Sequence, residues 1–126
     1  MEKYIRIAIL LICTGIVLGA LGAHSLNEII NKKNLEAFET GTRYQLFHGI
    51  AILLLSLNSK KFNILLNRCL NTMIIGILFF SLSIYLLSTQ DIIGVSLMFL
   101  GPLTPLGGAL LILSWIILFF SIKKNT

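Results

Sequence analysis

The sequence predicts an all-α, polytopic membrane protein. Residues 1–126 form a single domain, a four-transmembrane-helix bundle with N- and C-termini cytoplasmic. Three observations predict this: the composition, four long apolar segments, and the placement of the basic residues. Apolar types make up 56% of the 126 residues and charged types only 12%. A water-soluble domain carries roughly 25% charged residues to wet its surface, so this chain is neither a disordered tail nor an ordinary soluble enzyme. The net charge of +5 does not point to nucleic acid either. The basic residues sit singly or in pairs at the ends of apolar runs, where positive charge orients a membrane protein.

The first segment, residues 5–23, is uncharged except for Arg6 at its mouth. It imitates a signal peptide, with Lys3 and Arg6 as the basic region and Ala20 and Gly22 as a small-residue pair. The apolar run continues to Ala23, and a retained helix is expected. The second segment is apolar from Leu46 to Leu57 and extends backward in helical pattern to Leu35. Residues 35–57 make about 34 Å of helix, enough to span only if the polar start is included. The third segment covers 69–87 and the fourth 105–122. Continuous runs exclude a barrel, and a lipid-buried backbone must pair internally, so all four are read as helices.

Topology follows from the ten Lys and Arg residues. With four spans, Lys3, Arg6, Lys60, Lys61, Arg68, Lys123 and Lys124 share one side. Lys32, Lys33 and Arg43 lie on the other. The richer side is cytoplasmic. In the first connection, Ser25 to Glu28 has a capping-box pattern and Asn34 is a candidate cap for the second helix. The third connection, 88–104, is mostly apolar. We read 92–100 as an interfacial or partly re-entrant segment packed on protein, against a long fourth helix kinked at Pro102 and Pro105.

Polar and small residues inside the spans are the candidate functional positions. Ala8, Ile12, Gly15, Gly19, Gly22 and Ala23 form one stripe of the first helix, suited to close helix contact. On the second helix Gly41, Tyr44, Gln45 and His48 share one face within about 100°. Glu39 and Arg43 lie opposite at i,i+4 spacing and can pair. An ionisable residue inside a span is a functional candidate by default, which singles out His48. Its bland alternative is a neutral imidazole bonded within the bundle. His24 sits at the rim. Two histidines make a weak metal site, since catalytic zinc takes three protein ligands; no metal or cofactor is expected. Cys13 and Cys69 have no partner at ligand or disulfide spacing and read as small buried apolar side chains. Tyr85 fits an interfacial anchor. Thr104–Pro105 reads as an N-cap and first helical residue, with Gly107 and Gly108 allowing close approach. Tyr44, Gln45, His48 and the Thr104–Gly108 start are expected to converge in the outer half of the bundle.

Four motifs together carry a family resemblance. They are Gly19-Ala-Leu-Gly-Ala-His24, Glu39-Thr-Gly-Thr-Arg-Tyr-Gln-Leu-Phe-His48, Phe80-Ser-Leu-Ser-Ile-Tyr85 and Leu103-Thr-Pro-Leu-Gly-Gly108. In this order they are similar to the bacterial domain-of-unknown-function 423 family of small inner-membrane proteins, which also has a mitochondrial-type eukaryotic relative. The resemblance implies a four-helix membrane protein and brings no activity, substrate or cofactor. The apolar stretch before Thr104 is longer here than in that pattern.

Three functional classes stay open. The first is a non-enzymatic inner-membrane protein that binds a lipid- or quinone-like molecule, or serves as accessory subunit of a larger membrane assembly or homo-oligomer. The alternative is a small transporter or channel with a polar path lined by Tyr44, Gln45 and His48. The third, an enzyme using His24 or His48 as acid or base, lacks a second catalytic group. The expected partners are membrane lipids and other membrane subunits, with no nucleic acid.

Overall fold

The structure is a computed structural model and describes residues 1–124. Helix α1 is Glu2–His24 and α2 is Lys32–Leu57. Helix α3, Leu65–Ile77, runs through a π-helical turn at Leu78–Leu82 into α4, Ser83–Ile93. Helix α5 is Leu103–Ser121. One-turn 3₁₀ segments fill the connections. Among the described residues the regular structure is thus all helical apart from one isolated bridge, between Phe62 and Ile122.

Among the described residues, three continuous rods are long and apolar enough to cross a membrane: Glu2–Glu28, Leu65–Ile93 and Met98–Ser121. The sequence reading counted four. Helix α2 is long enough at 26 residues, but Lys32, Lys33, Glu36, Glu39 and Arg43 crowd its first half. Charge in its N-terminal turns takes it below the apolarity of the other three.

The central rod α3–α4 organises the packing. Helix α1 packs on α2, α5 packs on α3 and the π turn, and α2 packs on α4 and the π turn. Two apolar clusters sit at opposite ends. Tyr4, Ala8, Ile52, Leu66, Cys69, Leu70, Met73, Ile77 and Leu111 form the larger one. Leu26, Phe38 and Tyr85 form the smaller. At the larger-cluster end the chain ties its loop to its last helix. The Asn63 amide donates to Ser121 O at 2.7 Å and the Lys123 amide to Lys61 O at 3.1 Å. Tyr4 reaches Asn71 Oδ1 at 3.0 Å. Lys3, Lys60, Lys61 and Lys123 therefore gather at one end.

The ends of the helices depart from the sequence reading in detail. Asn31, not Asn34, caps α2, accepting from the Asn34 amide at 2.8 Å. Ser25 makes no side-chain cap bond. Helix α5 starts at Leu103 with Pro102 at the cap position. Thr104 is therefore already inside the helix, and its hydroxyl bonds sideways to Ser83 Oγ at 2.7 Å. Residues 92–100 are not a single segment packed on protein: 92–93 finish α4, and Met98–Leu100 is a 3₁₀ turn that leads through Gly101–Pro102 into α5. Helix α4 ends at Ile93 because Gly94 turns left-handed, φ 77°, a conformation glycine adopts without a Cβ clash. Beyond it Val95, Met98 and Phe99 are exposed.

The small-residue positions divide. Gly15 meets the Leu46 side chain and Gly22 meets Phe38, so a Cβ at either would crowd α2. Gly19 faces open space and Ala23 is exposed, so of the stripe predicted on α1 Ala8, Gly15 and Gly22 are buried and Gly19 and Ala23 are not used. The closest approach lies elsewhere. A methyl on Gly107 would fall on the Phe80 amide nitrogen and 2.8 Å from Phe79 carbonyl carbon. The π turn of the central rod is what Gly107 packs against, and only glycine fits between the two backbones.

Candidate functional site

The face shared by Tyr44, Gln45 and His48 opens onto two different places. Consecutive helical residues diverge by about 100°, enough to send Gln45 and Tyr44 to opposite sides of α2. Gln45 turns toward α1 and α4. Its amide nitrogen donates to Leu11 O at 2.9 Å and to Thr14 Oγ1 at 2.8 Å. Its carbonyl accepts from Tyr85 Oη at 2.7 Å. Tyr85 is therefore a buried link in this knot, not the interfacial anchor the sequence suggested. Its ring lies against Gly41, where a Cβ would come within 2.8 Å of Tyr85 Cε1. Ser81, buried within the π turn, donates to Gly41 O at 2.8 Å. Every polar atom of the knot is paired, as burial demands.

His48 turns the other way, toward α5. Its Nδ1 lies 2.8 Å from Tyr44 O, and Trp115 Nε1–H donates to its Nε2 at 3.1 Å. A carbonyl can only accept and an indole N–H can only donate. The imidazole is therefore neutral with its proton on Nδ1, which is the bland reading of a span histidine. No bond joins His48 to Gln45.

Helices α2 and α5 both pack on the central rod but little on each other. Between them runs a lateral groove of about 450 Å³ lined by Tyr44, Phe47, His48, Phe80, Leu111 and Trp115, with Arg43 and Gly108 at one part of the wall. Tyr44 lies tilted against Phe80 at 4.7 Å between ring centroids, and His48 meets Trp115 edge-on at 6.0 Å. Tyr44 and Trp115 remain 42% and 40% exposed, so the aromatic walls face outward. The hydrogen bond from Trp115 to His48 closes the floor.

The remaining predicted positions fall outside both places. His24 is exposed at the end of α1. Thr104 lies with Ser83, beside the π turn. Arg43 does not pair with Glu39; among the described residues the one ion pair is Lys32–Glu36 at 4.0 Å. Among the same residues no three His, Cys, Asp or Glu side chains could hold a metal. Cys69 is buried, whereas Cys13 is exposed on the outer face of α1.

Sequence reasoning missed Trp115, Arg43 and Phe80 as groove residues. Trp115 left a signal: it is the single tryptophan and sits mid-helix, where its N–H needs an acceptor. Phe80 left none, because its position depends on the π turn.

Residues 18–108 match a family model described as protein of unknown function (DUF423). This chain belongs to that family. The matched stretch contains Gln45, Ser81 and Tyr85 of the knot, the π turn and Gly107–Gly108; it begins after Leu11 and Thr14 and ends before Trp115. A UPF0382 membrane protein of Staphylococcus epidermidis is 35% identical over 106 residues, 84% of this chain and 83% of the relative. One of Haemophilus influenzae is 33% identical over 124 residues, 98% and 96% of the two chains. The UPF0382 membrane protein YwdK of Bacillus subtilis is 34% identical over 109 residues, 85% of each. No solved structure matches. The DUF423 chain described here is, like these relatives, a membrane protein embedded in lipid.

Proposed function

We propose that this DUF423 protein is a four-pass inner-membrane protein that binds a lipid- or quinone-like molecule without transforming it, in the groove between α2 and α5. The single observation that carries this reading is the groove itself. It is apolar, aromatic-walled and open sideways, which is how a small-molecule site in a bundle is built. Helix α2 is taken as the fourth span because it packs along α1 and α4. Its charged first turns then lie at the membrane surface. With Lys3, Lys60, Lys61 and Lys123 at one end of the molecule, that end is cytoplasmic.

The transporter reading would need polar groups free to meet a solute. The polar atoms of Gln45 and both ring nitrogens of His48 are already engaged, so no observation favours a path through them. An accessory role in a larger assembly is compatible with groove binding and would add a protein partner.

Two measurements test the reading. In a Cys13→Ala/Cys69→Ala background, Lys33→Cys should react with a membrane-impermeant maleimide added to intact cells, and Asn58→Cys should not; the reverse would overturn the topology. For the groove, native extraction without detergent should yield a lipid- or quinone-like molecule in stoichiometric amount. Gly108→Leu should reduce it strongly. A Cβ at Gly108 makes only ordinary contact, 3.7 Å to Phe80 Cδ2, so the leucine fills the groove without disturbing the backbone. Equal recovery from the parent and Gly108→Leu would place the molecule elsewhere.

A further inference from the structure

We infer that the occupant of the α2–α5 groove is an anionic phospholipid, with an acyl chain along the aromatic walls and its phosphodiester on Arg43. This rests on the reading of the groove as a binding site and names the chemistry it selects. Arg43 is the one charged side chain of the groove wall. It lies eleven residues into α2 from Lys32, about 16 Å along the axis. It is the last charge before the apolar half of α2, and a cation at the edge of an apolar span is expected to have a partner. Among the described residues Arg43 has none. Glu39, one turn away, does not reach it, and the ion pair of α2 is made by Lys32 and Glu36 instead. The groove thus couples a long apolar, aromatic channel to an unpaired guanidinium. That is the charge pattern complementary to an amphiphile with an anionic head.

Helix geometry sets the direction. Each Cα–Cβ bond tilts toward the helix N-terminus, so Arg43 leans toward the Lys32 end of α2. His48 and Trp115 lie further from that end. A head at Arg43 therefore leaves its chain running toward the His48–Trp115 floor, as a phospholipid of that leaflet would. The choice of phosphate over a fatty-acid carboxylate follows from supply, since either group would pair with the arginine but anionic phospholipid is a bulk component of the membrane. A phosphodiester stays ionised and offers two oxygens to the planar guanidinium. Because the groove opens sideways, one acyl chain can enter while the other stays in the bilayer.

Trp115 is the single tryptophan and lines the same groove, so its fluorescence reports occupancy. The protein is reconstituted in phosphatidylcholine vesicles containing, at equal mole fraction, either brominated phosphatidylglycerol or brominated phosphatidylcholine. Brominated phosphatidylglycerol should associate about five-fold more strongly than brominated phosphatidylcholine, whose phosphate is already neutralised by its own choline; that ratio is the weight of one cation near a net anionic lipid. Arg43→Gln should remove that preference while leaving quenching by phosphatidylcholine in place, and Arg43→Lys should keep part of it. Equal quenching by the two lipids in the parent overturns the anionic selection while leaving a lipid-filled groove. So does a preference that survives Arg43→Gln. Absence of quenching by either lipid overturns the groove reading as well. A brominated fatty acid that outcompetes phosphatidylglycerol would identify the carboxylate and overturn the phosphodiester assignment. A concentration-dependent dimer that shields Trp115 would identify a second copy as the occupant and overturn both.

Discussion

Gln45 and His48 stand less than one helical turn apart on α2, yet they serve opposite kinds of place. Gln45 ties three helices together through Thr14, the Leu11 carbonyl and Tyr85. His48 has both nitrogens paired too, but one partner is a tryptophan that itself forms an outward-facing wall. Burial with complete pairing makes the knot a structural device. Pairing beside an open groove makes the His48–Trp115 contact a floor on which something can lie. The lesson is that polarity on the apolar part of a helix does not by itself mark function; what surrounds the polar group does.

The comparison can be broken at the backbone first. Gly107→Ala should be the most damaging change, costing about 3 kcal/mol or more, because its methyl meets the backbone of the π turn at Phe79–Phe80 rather than a movable side chain. Unfolding in detergent micelles checks it. A variant as stable as the parent would mean the π turn yields, and the groove's back wall would not be rigid. Next, Gln45→Leu should cost about 1–3 kcal/mol by stranding the Tyr85 hydroxyl and freeing the α1 contacts. The coupling between Gln45→Leu and Tyr85→Phe should be about 0.6–1.7 kcal/mol, whereas Gln45 and His48 should be uncoupled. Measurable coupling between those two would merge the knot and the groove into one network.

His48→Phe should be milder, at about 0.5–1.5 kcal/mol, since Trp115 can turn its N–H toward the groove. Its signature is a shift in Trp115 emission without loss of fold; unchanged emission would show that the His48 bond does not hold the indole. Smallest of all, Gly19→Leu should stay within about 0.5 kcal/mol, because nothing lies within 4 Å of its Cβ direction. A large loss there would restore the α1 stripe as a packing face throughout its length.

Much of the fold could be read from the chain. Apolar runs and flanking charges locate α1, α3–α4 and α5 because a lipid-exposed helix has little freedom in composition. The candidate residues Tyr44, Gln45 and His48 could be singled out for the same reason, as polar groups where polar groups are expensive. Their partners could not. Tyr85 at the end of an apolar run has the look of an anchor, and only the docking of α4 on Gly41 turns it inward to Gln45.

What the sequence by itself determined is the set of helices and the small residues available for contact. Tertiary structure alone decided which of them are used. Gly15, Gly19, Gly22 and Gly107 are equivalent as letters, but only some face a neighbouring helix, because contact depends on the rotation of each helix about its axis. The π turn at Leu78–Leu82 has no spacing that announces it, since it arises where Gly107 presses on Phe80 and Ser81 turns to Gly41. The groove follows from the same arrangement. Two helices that each pack on a central rod, and scarcely on one another, leave a channel between them, and no local pattern along either helix encodes that separation.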